Sequence, residues 1–143
     1  MYRCIKKASL KYYALKMPGY NHRSRNLARN DGVETNISGI RVRGIGVDSR
    51  TGCAHYRSAL DIVAIKFECC RTYYSCFYCH EAAAGHSARI WSRDRFDENA
   101  VLCGACGAEL SIRQYLECRA VCPICRAAFN ARCESHYPLY FET

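Results

Sequence analysis

The 143-residue sequence lacks long hydrophobic runs, and this absence bears on where the protein works. No apolar run is longer than four residues, the length of the stretch from Ile62 to Ile65. A transmembrane helix needs about 20 apolar residues and a secretory signal needs an apolar core of about 7–15, so we expect neither. The sequence therefore predicts an intracellular protein with reduced thiols, located in the cytoplasm and without a membrane partner.

The motifs of common enzyme classes are also missing. There is no glycine-rich phosphate-binding loop and no serine nucleophile motif. His80-Glu81 matches the first two residues of the metalloprotease motif H-E-x-x-H, but the next histidine, His86, comes too late in the chain to be the second histidine of that motif. We therefore predict that the protein is not an enzyme.

Acidic residues are absent from the first 30 positions, which hold eight lysines and arginines. The later positions hold 13 basic and 13 acidic residues, so the formal net charge of +8 lies in this N-terminal segment. We predict that residues 1–36 form a basic, disordered tail and that residues 37–143 form one domain. The composition of the domain argues against nucleic-acid binding. Only the tail could support it, with a steep dependence on salt.

Cysteine, by contrast, is abundant. Of the 12 cysteines, ten lie between Cys53 and Cys125, together with three histidines. Inside a cell such a density indicates metal binding more often than disulfides. Zinc takes four sulfur or nitrogen ligands in a tetrahedron. With Cys118 set aside, twelve ligands remain, which make three four-coordinate zinc sites with none left over. The twelve candidate ligands are Cys53, His55, Cys69, Cys70, Cys76, Cys79, His80, His86, Cys103, Cys106, Cys122 and Cys125.

The last four of these ligands form the strongest pattern. Cys103-x-x-Cys106 and Cys122-x-x-Cys125 are separated by 15 residues, a spacing typical of a structural four-cysteine zinc site. The first eight ligands can be divided in two ways. In the preferred, interleaved division, one ion takes Cys53, His55, Cys76 and Cys79, and the other takes Cys69, Cys70, His80 and His86. The competing, sequential division places Cys53, His55, Cys69 and Cys70 on one ion.

Three potential ligands stay outside this count: Cys118, Cys133 and His136. Cys133 and His136 have the spacing of a two-ligand pair, and three ligands with an open position are typical of a labile or catalytic zinc site. The alternative interpretation is a buried cysteine and a histidine packed among aromatic neighbours. Both interpretations stay open at the level of sequence.

The secondary-structure signals are short and mixed. They predict a small, irregular α+β module stabilised by zinc, with short β-hairpins and one or two short helices around three zinc sites. Ser111 and Gln114 form a capping-box pattern at the start of one helix. The other predicted elements are an edge strand at Ile40–Arg43, a hairpin of Leu60–Phe67 with Tyr73-Tyr74, a helix at Glu81–Ala84 ended by Gly85, and a strand at Ala100–Leu102.

The string Cys53-Ala-His55-Tyr56, followed by Cys69-Cys70, Cys76-x-x-Cys79-His80 and His86, resembles the CHY-type zinc finger. The resemblance covers roughly residues 42–141 and implies a three-zinc module. Members occur beside a RING in ubiquitin ligases, where the module contributes to substrate recognition, and as stand-alone proteins. One stand-alone member assists small Tim assembly in the mitochondrial intermembrane space. After Cys103 this sequence lacks the central C-x-H step of a RING, so ubiquitin-ligase activity is not expected.

Two functions follow as hypotheses. The first is a zinc-stabilised module that binds an unidentified protein partner, with aromatic residues such as Tyr56, Trp91 and Tyr140 either at the contact surface or in the core. The second is a zinc- and thiol-handling assembly factor that exchanges metal with client cysteines, which the stand-alone relatives suggest. The second would place the protein in the mitochondrial intermembrane space instead of the cytoplasm.

Overall fold

The computed structural model describes residues 34–143, and one six-stranded sheet organises them. The strands lie in the order β1-β2-β4-β3-β5-β6, and the helices are short, so the predicted α+β class is confirmed. Most of the predicted tail lies outside the described residues. The elements are β1 Glu34–Ile37, β2 Ile40–Arg43, β3 Val63–Lys66, β4 Tyr73–Tyr74, α1 Phe77–Ala83, β5 Asn99–Cys103, β6 Glu109–Ser111 and α2 Ile112–Glu117, with 3-10 helices at Arg93–Arg95 and Ala131–Leu139.

The first hairpin changes the expected position of β2 in the sheet. β1 and β2 are antiparallel and are joined at Ser38 and Gly39, which both have positive φ, as a tight hairpin turn requires. The side chain of Asn36 accepts a hydrogen bond from the Gly39 backbone N–H at 2.8 Å. β2 also pairs in parallel with β4, so the prediction of an edge strand at Ile40–Arg43 is wrong. Glu34 to Asn36, assigned to the tail from sequence, supply most of the covering strand β1.

The remaining strands are antiparallel. β3 pairs with β4 through the predicted hairpin, and on its other side β3 pairs with β5. Strand β5 contains the predicted Ala100–Leu102 segment and continues to β6, which the sequence analysis did not identify. Because β5 ends at Cys103, the sheet positions the first ligand of the last zinc pattern.

The two helices differ in how well local signals predict them. α2 begins after Ser111 with both hydrogen bonds of the capping box, so that prediction is confirmed. α1 begins at Phe77, four residues before the predicted start at Glu81. The Cys76 side chain accepts a hydrogen bond from the Cys79 backbone N–H and so caps the helix, a role that is not usual for cysteine. Gly85, with φ of 73°, follows the end of α1 as expected.

The sheet separates two apolar clusters. On β3, Ala64 belongs to the smaller cluster and Ile65 to the larger, and on β5 Leu102 and Val101 alternate in the same way. The larger cluster contains Trp91, which is 1% exposed, so this residue packs in the core instead of at a contact surface. Within residues 34–143, no helix has the length and apolar character needed to span a membrane.

Candidate metal centres

Three groups of four side chains bring their ligand atoms together. In each group, the sulfur and nitrogen atoms all lie within 4.8 Å of one another. Together they use the twelve candidate ligands, and the structure has the interleaved division of the first eight. Site 1 is Cys53, His55, Cys76 and Cys79; site 2 is Cys69, Cys70, His80 and His86; site 3 is Cys103, Cys106, Cys122 and Cys125.

Site 1 joins the loop after β2 to the start of α1. The Sγ atoms of Cys53 and Cys76 are 3.8 Å apart. The Nδ1 atom of His55 lies 3.4 Å from Sγ of Cys76, 3.4 Å from Sγ of Cys79 and 3.9 Å from Sγ of Cys53. Cys53, Cys76 and Cys79 are buried, and His55 is partly buried. The site is therefore largely shielded from solvent.

Gly44 and Ile45 support site 1 through contacts with Cys79 that were not predicted. The backbone N–H of Ile45 points at Sγ of Cys79 at 3.4 Å, a hydrogen bond that stabilises a metal-bound thiolate. A Cβ at Gly44 would lie 2.9 Å from the same sulfur and 2.7 Å from Val47. The signal in the sequence was only a glycine between β2 and the first ligands. Its proximity to Cys79 depends on the tertiary fold.

Site 2 lies at the turn of the β3–β4 hairpin and on α1. The Nε2 atom of His80 is 3.3 Å from Sγ of Cys69, 3.9 Å from Sγ of Cys70 and 3.2 Å from Nε2 of His86. The two sulfurs are 3.9 Å apart. Arg71, with φ of 54°, completes the turn that presents both cysteines. Cys69 and Cys70 are partly buried and His86 is exposed.

His80 is the most enclosed ligand of site 2. Its ring is fully buried and stacks on Phe67, with ring centroids 4.2 Å apart and planes 18° apart. Burial lowers the pKa of His80 to about 4, so the imidazole is neutral at neutral pH, the form that binds metal. Its Nδ1 atom faces the Glu81 carboxylate at 3.9 Å, on the side where ligating histidines commonly meet a carboxylate.

Site 3 is built from two turns of the same form. The Cys103 N–H donates to the Ala108 carbonyl at 2.9 Å, and the Cys122 N–H donates to the Ala127 carbonyl at 2.9 Å. Each turn has a residue of positive φ after its second cysteine, Gly107 at 76° and Arg126 at 67°. The sulfur pairs Cys103–Cys125 and Cys106–Cys122 are 3.8 and 4.0 Å apart. Cys106 and Cys125 are exposed, whereas Cys103 and Cys122 are buried.

These spacings fit zinc. For Zn–S bonds of about 2.3 Å and Zn–N bonds of about 2.0–2.1 Å, a tetrahedron has edges of about 3.8 Å between sulfurs, about 3.6 Å between sulfur and nitrogen and about 3.3 Å between nitrogens. For the ligand pairs given above, the sulfur–sulfur distances are 3.8–4.0 Å, the sulfur–nitrogen distances 3.3–3.9 Å and the nitrogen–nitrogen distance 3.2 Å, and every pair within a group lies within 4.8 Å. A disulfide would need about 2.05 Å, and the eleven cysteines of the described residues are free. Three zinc ions therefore match the donor sets.

Electrostatics also favour a cation at sites 2 and 3. Burial raises the pKa of the Cys103 thiol to about 12, and burial likewise raises the pKa of Cys69. Thiols crowded in this way stay protonated unless a nearby positive charge stabilises their thiolates. Zinc supplies that charge and binds only the deprotonated sulfur.

The three surplus residues do not form a fourth cluster within residues 34–143. Cys133 and His136 line a cavity of about 330 Å³ that also borders Cys76 of site 1, but Cys118 is not part of its lining. Burial raises the pKa of the Cys133 thiol. Burial also lowers the pKa of His136, whose ring centroid lies 5.7 Å from that of Tyr56 with the two planes tilted by 51°. This arrangement corresponds to the alternative interpretation, a buried cysteine with a histidine among aromatic residues.

The fold and the three four-ligand sites define a CHY zinc finger. The family matches residues 53–131, a segment that holds all twelve ligands, and the chain belongs to this family. Cys133 and His136 lie beyond the matched segment.

Individual relatives extend the similarity over most of the chain. Helper of Tim protein 13 of Saccharomyces cerevisiae is 35% identical over 104 residues, which cover 71% of this chain and 90% of the relative. Helper of Tim protein 13 of Kluyveromyces lactis is 36% identical over 95 residues, covering 66% of this chain and 82% of the relative. An uncharacterised protein of Schizosaccharomyces pombe is 36% identical over 105 residues, covering 73% of this chain and 92% of the relative.

Proposed function

We propose that this zinc-binding protein is a non-enzymatic protein-interaction module. One observation carries the proposal: each metal site offers four protein ligands within 4.8 Å of one another. Structural zinc sites are closed in this way, whereas catalytic sites keep one position open for water or substrate. Zinc binding then supplies folding free energy, and the surface of the folded domain binds the partner protein.

The partners we propose are Tim proteins. The support is the name of two relatives, Helper of Tim protein 13, of which the chain covers 90% and 82%. This proposal favours the mitochondrial intermembrane space over the cytoplasm as the place of action. Fractionation of mitochondria from the source organism, with a tagged full chain, tests the location. Recovery of the tagged chain in the cytosolic fraction alone would contradict it.

Binding is tested with purified Tim proteins of the same organism, kept reduced and titrated with the zinc-loaded chain by calorimetry. We expect saturable binding that disappears when a chelator strips the metal and returns when zinc is added back. Near-UV circular dichroism of the same samples should collapse on stripping, since metal binding and folding are coupled. Absence of binding by the loaded chain, or equal binding by the stripped chain, would refute the proposal.

A second candidate function is zinc and thiol handling, in which the chain exchanges zinc with client cysteines. The observation that favours it is the exposure of Cys106 and Cys125, two of the four sulfurs of site 3. Incubating the metal-free chain with a zinc-loaded, thiol-rich protein tests this function. Native mass spectrometry should show zinc moving between the two proteins, and a fixed distribution would exclude it.

A further inference from the structure

The three metal sites differ in how much of each is open to solvent. Site 1 has three buried sulfurs, and its fourth ligand is a partly buried imidazole. Site 2 has one exposed ligand, His86, and its two sulfurs are partly buried. Site 3 has two exposed sulfurs on different turns, Cys106 and Cys125. A metal at site 3 is therefore the one that a second protein can reach through two thiolates at once.

The residues around these two sulfurs leave the approach open. We define the rim as the exposed residues beside the sulfurs: Ala105, Pro123, Ile124 and Arg126. Ala105 is too small to shield Cys106. Ile124 is 63% exposed, the highest of the large hydrophobic residues in the described part of the chain. An apolar contact at Ile124 would place a partner chain directly beside Cys125. Site 1 offers no comparable opening because its sulfurs are buried.

We propose that site 3 is the site at which this protein exchanges zinc with the thiols of a partner protein, through Cys106 and Cys125. The proposal rests on the second candidate function above and assigns it to particular atoms. Cys103 and Cys122, both fully buried, stay in place as the fixed half of the site.

The exchange balances without a redox step. As zinc passes to the chain, a bond forms between zinc and Sγ of Cys106 while the bond to one partner sulfur breaks. The proton of the Cys106 thiol passes to the departing partner thiolate. The same exchange follows at Cys125. Cys103 and Cys122 then replace the remaining partner sulfurs in the same way, each passing its thiol proton to the thiolate that departs. Each step replaces one thiolate by another, so the charge of the zinc–ligand group stays constant. At site 2 the exposed ligand is neutral His86, and its replacement by a thiolate would add a negative charge beside buried His80.

The turns of site 3 also have support that does not depend on metal. Gly107 N–H donates to the Cys103 carbonyl at 2.8 Å, and Arg126 N–H donates to the Cys122 carbonyl at 3.0 Å. Strands β5 and β6 hold the first turn, and a bridge between Val121 and Ala128 closes the second. Zinc can thus leave or enter while the backbone of each turn keeps its hydrogen bonds.

The test uses the full chain loaded with three zinc ions and kept reduced with a phosphine. Zinc release to the chelator 4-(2-pyridylazo)resorcinol is followed by absorbance, and samples are alkylated at intervals for mass spectrometry. We expect one equivalent to leave about tenfold faster than the other two, because solvent access controls exchange. Alkylation should reach Cys106 and Cys125 first, in step with the fast release.

Two variants sharpen the test. Cys106→Ser should remove the fast equivalent and leave two slow ones, and Cys133→Ser, which changes a thiol outside the three sites, should release zinc as the unchanged chain does. If Cys106→Ser fails to fold, the order of alkylation in the unchanged chain decides alone. A fast equivalent accompanied by labelling of Cys69, Cys70 or the site 1 sulfurs would overturn the assignment to site 3 while leaving thiol handling intact. Three equally slow equivalents would overturn both.

Discussion

Gly104 lies between the first ligand of site 3 and the loop before site 1, and its replacement by alanine should destabilise the zinc-loaded protein. A Cβ at this position would lie 2.2 Å from the carbonyl oxygen of Arg50 and 2.6 Å from its carbonyl carbon. Ordinary contact begins at 3.4 Å, so the two backbones would have to separate by about 1.2 Å. The obstacle is backbone and cannot rotate away as the end of a side chain can.

The contacts of Gly104 determine how large the loss in the free energy of unfolding should be. Separation at Gly104 would stretch the hydrogen bond that its N–H donates to the Ile62 carbonyl at 2.7 Å. Overpacking a rigid site costs about 1–3 kcal/mol, and the loss of a buried hydrogen bond adds about 1 kcal/mol. We therefore expect Gly104→Ala to lower the free energy of unfolding by about 3 kcal/mol. Because Cys103 is the neighbouring residue, site 3 should also hold zinc less tightly.

The assay is urea unfolding of the zinc-loaded proteins, with native mass spectrometry for the number of bound ions. Gly85→Ala is the matched control: a Cβ there meets nothing within 4 Å, but φ is +73°. That variant carries backbone strain without a clash and should lose only about 1 kcal/mol, with three ions retained. The reasoning would be refuted if Gly104→Ala were no less stable than Gly85→Ala, or if its site 3 bound zinc as before.

Three further predictions concern single side chains. Ser111→Ala removes the capping box of α2 and should cost about 1 kcal/mol in urea unfolding; a loss below a few tenths would contradict the role of the cap. Trp91→Ala removes a fully buried side chain whose Nε1 also donates to the Lys66 carbonyl at 2.7 Å. It should lower the free energy of unfolding by about 3–5 kcal/mol, measured by urea unfolding followed by far-UV circular dichroism. Cys133→Ser should leave the zinc count at three by native mass spectrometry, and a lower count would show that Cys133 binds metal after all.

Features that depend on a few neighbouring residues could be predicted from the sequence. The capping box at Ser111 is complete within four residues, and the structure contains both of its hydrogen bonds. The grouping of the four cysteines of site 3 could also be predicted, because each C-x-x-C turn is a local structure and the spacing between the two turns is typical of a four-cysteine zinc site. The hairpin of β3 and β4 was predicted because a β-branched strand precedes a short turn.

Features that depend on distant parts of the chain could not be predicted. β2 lies inside the sheet because β1 pairs with one side of it and β4, some 30 residues later, with the other; the pairing with β4 has no signal in the sequence of β2. The start of α1 was missed because Phe77 to His80 are modest helix formers, and Cys76 caps the helix only where site 1 holds it. The close contact of Gly44 with Cys79 arises in the same way, from segments that are distant in sequence.

The interleaving of sites 1 and 2 explains why metal and fold are inseparable in the first half of the domain. Along the chain, the ligands alternate between the two sites: Cys53 belongs to site 1, Cys69 to site 2, Cys76 to site 1 and His80 to site 2. The segments between these ligands contain the β3–β4 hairpin or the start of α1. The four ligands of either site can therefore come together only when the segment that carries ligands of the other site is also in place. Adjacent residues Cys79 and His80 serve different ions from one helix, which fixes the two sites to each other. Site 3 shares no segment with them and follows them in the chain. A protein built in this way can keep two ions as structure and leave the third for exchange.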